Sequence, residues 1–169
     1  ARALHAINQI TTDGAMLTVE HLLPLLLNLK GKPYSLKDHF VFSPLFRTQI
    51  PSKMLYCTGR QVAKSTGITS SGVIRANWIP DFTTLYVCPL YEQIRRLSSN
   101  LVKPFIERSP VRQLWTSSAT QSSVLQYTFK NYSKLIFSFA LLDADRVRGI
   151  STDSVCIDEI QDMDIDHIP

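Results

Sequence analysis

The sequence predicts an α/β fold, a mainly parallel sheet flanked by helices, and three observations carry that expectation. Strand-like and helix-like stretches alternate along most of the chain, as a parallel sheet with crossover helices requires. An apolar run, Met54-Leu55-Tyr56-Cys57, feeds a short polar turn that ends in Lys64-Ser65-Thr66 and opens into a helix-compatible segment. A second apolar run, Val155-Cys156-Ile157, ends directly in two carboxylates, Asp158 and Glu159. At 169 residues the chain is long enough for one such domain with a sizeable core.

Composition narrows the class. With 44% hydrophobic and 19% charged residues, the balance is that of a globular chain rather than a disordered one. A net charge of +4 is too small to define a DNA-binding protein, so any nucleic-acid contact would come from local patches. The basic residues Lys103, Arg108, Arg112, Lys130 and Lys134 are scattered as on a solvated face. Cys57, Cys88 and Cys156 are odd in number, lack zinc spacing and each fall in an apolar run. They read as reduced core thiols of a cytosol-like compartment. No run reaches the ~18–20 apolar residues of a membrane span. The most apolar stretch, Leu22 to Leu29, is short and holds Pro24.

Residues 1–50 read as a lead-in. Thr18 to Leu27 resembles a short helix with Thr18 as N-cap and Gly31 as stop, its leucines packing on a core or a partner. His39 to Phe46, aromatic and interrupted by Pro44, reads as loop or edge strand, and is placed to flank an adenine ring. Plain core packing is the commoner role for any one of these phenylalanines. Ser65 to Trp78 is the next helix, with Ile68, Ile74 and Trp78 on one side. Gly67 and Gly72 lower its propensity but permit close approach to a sheet.

Pro80 ends that helix, and Thr83 to Cys88 is a β-branched, aromatic strand. A helix follows from about Glu92 to Lys103, with Ile94, Leu97 and Leu101 inward, Arg95 and Arg96 outward, and Pro104 and Pro110 limiting it. Val124 to Phe129 and Lys134 to Phe139 make a hairpin about Asn131. A charged connection, Leu141 to Asp153, leads into the strand that ends at Asp158.

The turn from Thr58 to Ser65 has the layout of a phosphate-binding loop. Backbone N–H groups at a helix start can wrap a phosphate, Lys64 can reach the β/γ oxygens, and the Ser65 hydroxyl can hold Mg²⁺. The fit to G-x-x-x-x-G-K-[ST] is partial. Thr58 stands at the first glycine position, Gly59 comes one place late, and Ala63 replaces the second glycine. Ala63 narrows the cradle and disfavours positive φ. Alone, the loop reads equally well as a lysine opening a surface helix. An isolated Asp-Glu after an apolar run is commoner still, as a strand end or helix start. The pair is more telling. The separation of Lys64 from Asp158 leaves room for the helix-strand-helix-strand of a doubly wound sheet. In P-loop ATPases a strand-end Asp supports Mg²⁺ and the following Glu polarises the attacking water. The expected fold is therefore a P-loop NTPase of the RecA-like (ASCE) type, binding ATP and Mg²⁺.

Residues 40 to 165 resemble the large terminase subunit of tailed bacteriophages, the ATPase that drives DNA into the capsid. The resemblance rests on Gly59-Arg60-Gln61-Val62-Ala63-Lys64-Ser65-Thr66, similar to the terminase Walker A loop with its internal Arg-Gln pair. It rests also on Asp145-Arg146-Val147-Arg148-Gly149-Ile150-Ser151 leading into Val155-Cys156-Ile157-Asp158-Glu159-Ile160-Gln161-Asp162. The resemblance implies that the loop from Thr58 to Thr66 cradles the nucleotide and that Lys64 and Ser65 bind phosphates and Mg²⁺. It further implies that Asp158 supports Mg²⁺, Glu159 activates water and Arg60 reaches or senses the γ-phosphate.

Arg146 and Arg148 would then be candidates for a finger acting on a neighbouring subunit, although pairing with Asp143, Asp145 or Asp153 is an even alternative. The implied partners are double-stranded DNA, the portal protein, the small terminase subunit and copies of this chain in a ring, with no membrane. The implied location is the host cytoplasm, transiently docked on the viral procapsid. Residues 51–169 would be the first part of the ATPase domain, a fragment cut before the coupling motif and nuclease domain. Two other classes stay open: another RecA-like or helicase-type ATPase, and a docking domain that kept the fold without hydrolysis.

Overall fold

A computed structural model of the chain describes residues 19–46, 52–59, 61–116, 122–139 and 149–163. The lead-in helix α1 spans Val19–Leu26 and buries Leu22, Leu23 and Leu26 despite Pro24. A two-residue hairpin follows, β1 (Asn28–Leu29) against β2 (Lys32–Pro33), turning through Lys30 and Gly31 at positive φ. His39 to Phe46 is neither loop nor edge strand: Phe40–Phe46 winds into a 3-10 helix that buries Phe42 and Phe46. Compact winding lets both rings enter the core from one short segment, which an extended chain with alternating faces would not allow.

The main sheet has four strands in the order β4-β5-β3-β6, namely Gln126–Thr128, Lys134–Phe139, Thr83–Cys88 and Ser154–Ile157. Strand β3 pairs in parallel with both β5 and β6, while β4 is antiparallel to β5. The hairpin turn is fixed by Asn131, whose Nδ2 donates to Ala76 O at 2.8 Å and ties the turn to the C-terminal end of the helix Lys64–Trp78. Register at β6 places Thr84 opposite Ser154 and Val87 opposite Ile157. Asp153 locks it, accepting from Thr83 N–H at 2.8 Å while its own N–H donates to Thr83 O at 2.9 Å.

Helix α2, Lys64–Trp78, packs between the 3-10 segment and strands β3 and β5. The expected Ile68-Ile74-Trp78 line holds in part: Ile74 is buried and Ile68 packs against the core, but Trp78 is exposed. Around Val73 and Ile74 the inward face carries small residues, among them Gly67, Ser70, Ser71, Gly72 and Ala76. Small side chains let the helix axis approach closely, so backbone proximity supplements the short apolar stripe of Val73 and Ile74. Gly72 meets the sheet at Leu135, whereas Gly67 meets Phe42.

The next helix is longer than expected. Helix α3 (Tyr91–Leu97) passes through a wide turn (Ser98–Val102) into α4 (Lys103–Glu107), and Pro104 sits in the first turn of α4, where its missing N–H costs little. A short α5, Arg112–Trp115, completes this side. Ile94 is buried, with Leu97 and Leu101 packed beside it and Arg95 and Arg96 outside.

Tyr86, Cys88 and Phe137 share the larger core with α1 and α2, while Leu85 and Val87 join Met163 in a smaller one. Alternation along β3 thus serves two layers. Two sequence expectations fail here. Met54-Leu55-Tyr56-Cys57 forms no strand: Leu55 is 78% exposed, and only Tyr56 turns inward, its ring 5.7 Å from that of Phe42. Four apolar residues do not make a strand without a neighbour to bond. For the same reason Cys57 is exposed rather than a core thiol, while Cys88 is buried and Cys156 partly so. No helix among the described residues is long and apolar enough to cross a membrane.

Candidate functional site

The carboxyl end of β6 delivers Asp158 to the first turn of α2. Parallel pairing with β3 continues one residue past β6, since Asp158 N–H donates to Val87 O at 2.9 Å, and this fixes where its side chain begins. The carboxylate is 5% exposed and held on both oxygens. Oδ2 accepts from Tyr86 Oη at 2.6 Å and from Ser65 Oγ at 2.8 Å. Oδ1 lies 3.2 Å from Lys64 Nζ and accepts from Glu159 N–H at 3.0 Å. Lys64 also reaches Glu159 Oε1 at 3.5 Å.

Burial penalises the charge on Asp158. Hydrogen bonds from Tyr86 and Ser65 and the Lys64 ammonium outweigh it and hold the carboxyl below its usual pKa. Lys64 mirrors this: burial pulls its pKa down, but Asp158 and Glu159 raise it above the ordinary ammonium value. Both groups are charged at neutral pH. Burial, reinforced by the Asp158 charge, pushes the Tyr86 phenol well above its normal pKa, so it remains a donor.

The loop before α2 carries two left-handed non-glycine residues, Gln61 and Ala63, each at φ 62°. Ala63 is the helix N-cap and offers no side-chain hydrogen bond, so the first-turn N–H groups of a 15-residue helix are open to an external acceptor. Thr58, Gly59 and Val62 are exposed beside it, and Thr66 is half-buried on the helix. Glu159 also adopts the left-handed region, at φ 55°, where it caps a 3-10 turn over Ile160–Asp162. Gln161 Nε2 donates to Glu159 Oε2 and holds the second acid in place.

Beside these groups an open cavity of about 320 Å³ is lined by Ser65, Cys88, Gln93, Arg96, Leu97, Asp158 and Glu159. Gln93 Oε1 accepts from Leu90 N–H at 3.1 Å, leaving its NH₂ group for the cavity. Arg96 adds a positive charge to the wall formed by α3. Burial and the nearby carboxylates push the Cys88 thiol up to about 12, so it stays protonated. A smaller cavity of about 170 Å³, lined by residues of α4, α5 and β4, contains neither motif.

Of the residues singled out from the sequence, Lys64, Ser65, Asp158 and Glu159 come together, while Arg60, Arg146 and Arg148 lie outside the described residues. Sequence reasoning passed over Tyr86, Gln93 and Arg96. Tyr86 fell within an aromatic strand, Arg96 read as outward-facing, and Gln93 drew no reading. The period-two pattern of β3, which puts Tyr86 and Cys88 on one side, was the available signal.

A hydroxyl and a carboxylate within 2.8 Å of one another are hard oxygen donors of the kind Mg²⁺ takes. Among the described residues no group of three or more His, Cys, Asp or Glu gathers into a metal cage. Mg²⁺ with one or two protein ligands, the rest coming from phosphate and water, is compatible with that donor set. No protein-family model matches this chain, and no curated protein or solved structure matches it either.

Proposed function

We propose that this chain binds Mg²⁺·ATP and hydrolyses it, as part of a P-loop NTPase of the RecA-like (ASCE) type. One observation carries the reading. Lys64 and Ser65, opening α2, meet Asp158 and Glu159 at the end of β6 within 3.5 Å. Four residue types that the chemistry requires, drawn from two distant motifs, converge beside a cavity.

In this reading the phosphates draw Lys64 away from the two acids, and the ammonium neutralises charge on the β and γ oxygens. The open N–H groups at the start of α2 cradle the phosphate chain. Ser65 and Asp158 would hold Mg²⁺, which would supply neutralisation of the phosphate charge. Glu159 orients the attacking water and accepts its proton as the new P–O bond forms and the β–γ bridge breaks. Translocation of double-stranded DNA into a procapsid, alongside a portal protein and a small terminase subunit, is the setting that the terminase resemblance adds.

Titration with ATP in the presence and absence of Mg²⁺, followed by phosphate release, tests the proposal. Mg²⁺-dependent binding and turnover are expected from the wild type, and Lys64→Ala loses both. A wild type that neither binds nor hydrolyses ATP favours the second reading, a docking domain without hydrolysis. That reading draws on Met54-Leu55-Tyr56-Cys57 standing outside the sheet, so that no strand leads into the loop.

A further inference from the structure

We infer that Tyr86 is a positioning residue for the metal site: its hydroxyl fixes the rotation of the Asp158 carboxylate so that an oxygen is presented to Mg²⁺. This inference rests on the nucleotide-binding reading above. Four donors converge on Asp158, and they differ in whether they can remain there once nucleotide binds. Lys64 and Ser65 belong to the loop–helix junction that would turn to phosphate and metal. The other two donors do not serve the nucleotide. Glu159 N–H is backbone, 3.0 Å from Oδ1, and Tyr86 Oη is 2.6 Å from Oδ2.

Tyr86 is also closely packed. It stands on β3, which has a parallel neighbour on each side, and it is 1% exposed. Its ring lies 5.8 Å from that of Phe137 on the adjacent strand. Among the described residues the hydroxyl donates to Asp158 Oδ2, and a buried hydroxyl without an acceptor is costly, so this bond persists when the others exchange. With one fixed donor on each oxygen, the carboxylate keeps its plane while the positions used by Ser65 and Lys64 fall free. Partners behind a metal-supporting carboxylate act this way in general, and their loss typically lowers metal affinity about 10–100-fold.

The test is Tyr86→Phe, which removes the hydroxyl and keeps the ring. Binding of a fluorescent ATP analogue is followed while Mg²⁺ is titrated, with thermal unfolding run in parallel. The expected result is a Mg²⁺ midpoint raised about 10-fold or more, with full binding restored at saturating Mg²⁺. A merely structural role would lower the unfolding temperature or the bound fraction and leave the midpoint where it was, which overturns the inference. If the wild type binds no nucleotide at any Mg²⁺ concentration, the nucleotide reading itself is refuted. If the wild type binds and the variant matches its midpoint, only the role of Tyr86 falls. A second measurement needs no variant: NMR of the tyrosine hydroxyl proton. Protection from exchange both with and without Mg²⁺·ATP supports the inference, and its loss on adding Mg²⁺·ATP overturns it.

Discussion

Ser65 Oγ donates a 2.8 Å hydrogen bond to Asp158 Oδ2, joining the first turn of α2 to the end of β6 across 93 residues of chain. Lys64, one residue earlier, spans both acids, so the site is closed on itself by its own opposite charges. Under the proposed function such a site would have to exchange partners on binding nucleotide. A phosphate chain would compete for Lys64 while a divalent cation compensates the acids it leaves. The two events are linked electrostatically, which is a physical reason for binding to require metal and nucleotide together.

Glu159→Gln separates binding from turnover. Glutamine removes one of the two carboxylates that compete for Lys64 and leaves Asp158 with all of its donors. Nucleotide affinity should stay within about threefold of the wild type or tighten slightly, while turnover falls about 100-fold or more, the usual cost of losing a general base. Steady-state phosphate release and equilibrium binding on the same preparation check this. Turnover at the wild-type rate would remove Glu159 from the mechanism.

The same charges set the pH limits of stability. The folded pKa of Asp158 lies below its unfolded value, so its contribution is present above the ordinary carboxyl pKa of about 3.9 and is lost as pH falls through the folded value. Lys64 is raised, so its contribution is complete below the ordinary lysine pKa of about 10.4 and is lost as pH rises through the folded value. Tyr86 is raised as well and steepens the alkaline limb. Thermal unfolding against pH should show a plateau between these limits. Asp158→Asn is expected to flatten the acid limb, and Lys64→Met to reduce the alkaline limb without abolishing it. An unchanged acid limb in Asp158→Asn would assign acid sensitivity to other groups.

The parts of this molecule legible in its sequence are those where local pattern and tertiary environment agree. Thr83 to Cys88 is β-branched, aromatic and central, and the strand forms as expected. The hairpin about Asn131 follows from turn chemistry that the side chain itself executes, through its bond to Ala76 O. What failed was decided by neighbours. The apolar run at Met54 has strand composition and no ladder partner, and α2 docks through small residues that no hydrophobic period reveals. For the site, Lys64, Ser65, Asp158 and Glu159 were readable because their chemistry is unusual in combination. Tyr86 was not, because a tyrosine in a buried strand is ordinary until its hydroxyl is seen to meet a carboxylate.

Ala63 carries a cost that one substitution should relieve. At φ 62° and ψ 28° it occupies the left-handed region, which costs a residue with a Cβ roughly 1–2 kcal/mol. Ala63→Gly removes that penalty and adds about 0.5–1 kcal/mol of unfolded-state entropy, for a net gain of up to about 1.5 kcal/mol. Denaturant midpoints measure it directly. A lower midpoint for the glycine variant would mean that residue 63 does not hold this conformation in solution.

Gly67 is the position where adding one methyl group should do the most harm for its size. A Cβ there would lie 2.8 Å from Phe42 Cγ, closer than such contacts occur, and 3.1 Å from Cδ2, tighter than most. Phe42 is 0% exposed and cannot swing into solvent. Gly67→Ala gains about 1 kcal/mol of helix propensity, against an overpacking cost of roughly 1–3 kcal/mol. Steric cost wins, because the clashing atoms are at the root of a fixed ring rather than the tip of a flexible chain. The expected result is a net loss of about 1 kcal/mol, accompanied by weaker nucleotide binding, since the Phe42 ring also supports Tyr56 just ahead of the loop. Combining the change with Phe42→Leu should cost less than the two single losses added together, by at least about 0.5 kcal/mol, as coupled neighbours do. Strict additivity in urea unfolding would show that the helix and the 3-10 segment are not in contact here, and the start of α2 would need another anchor.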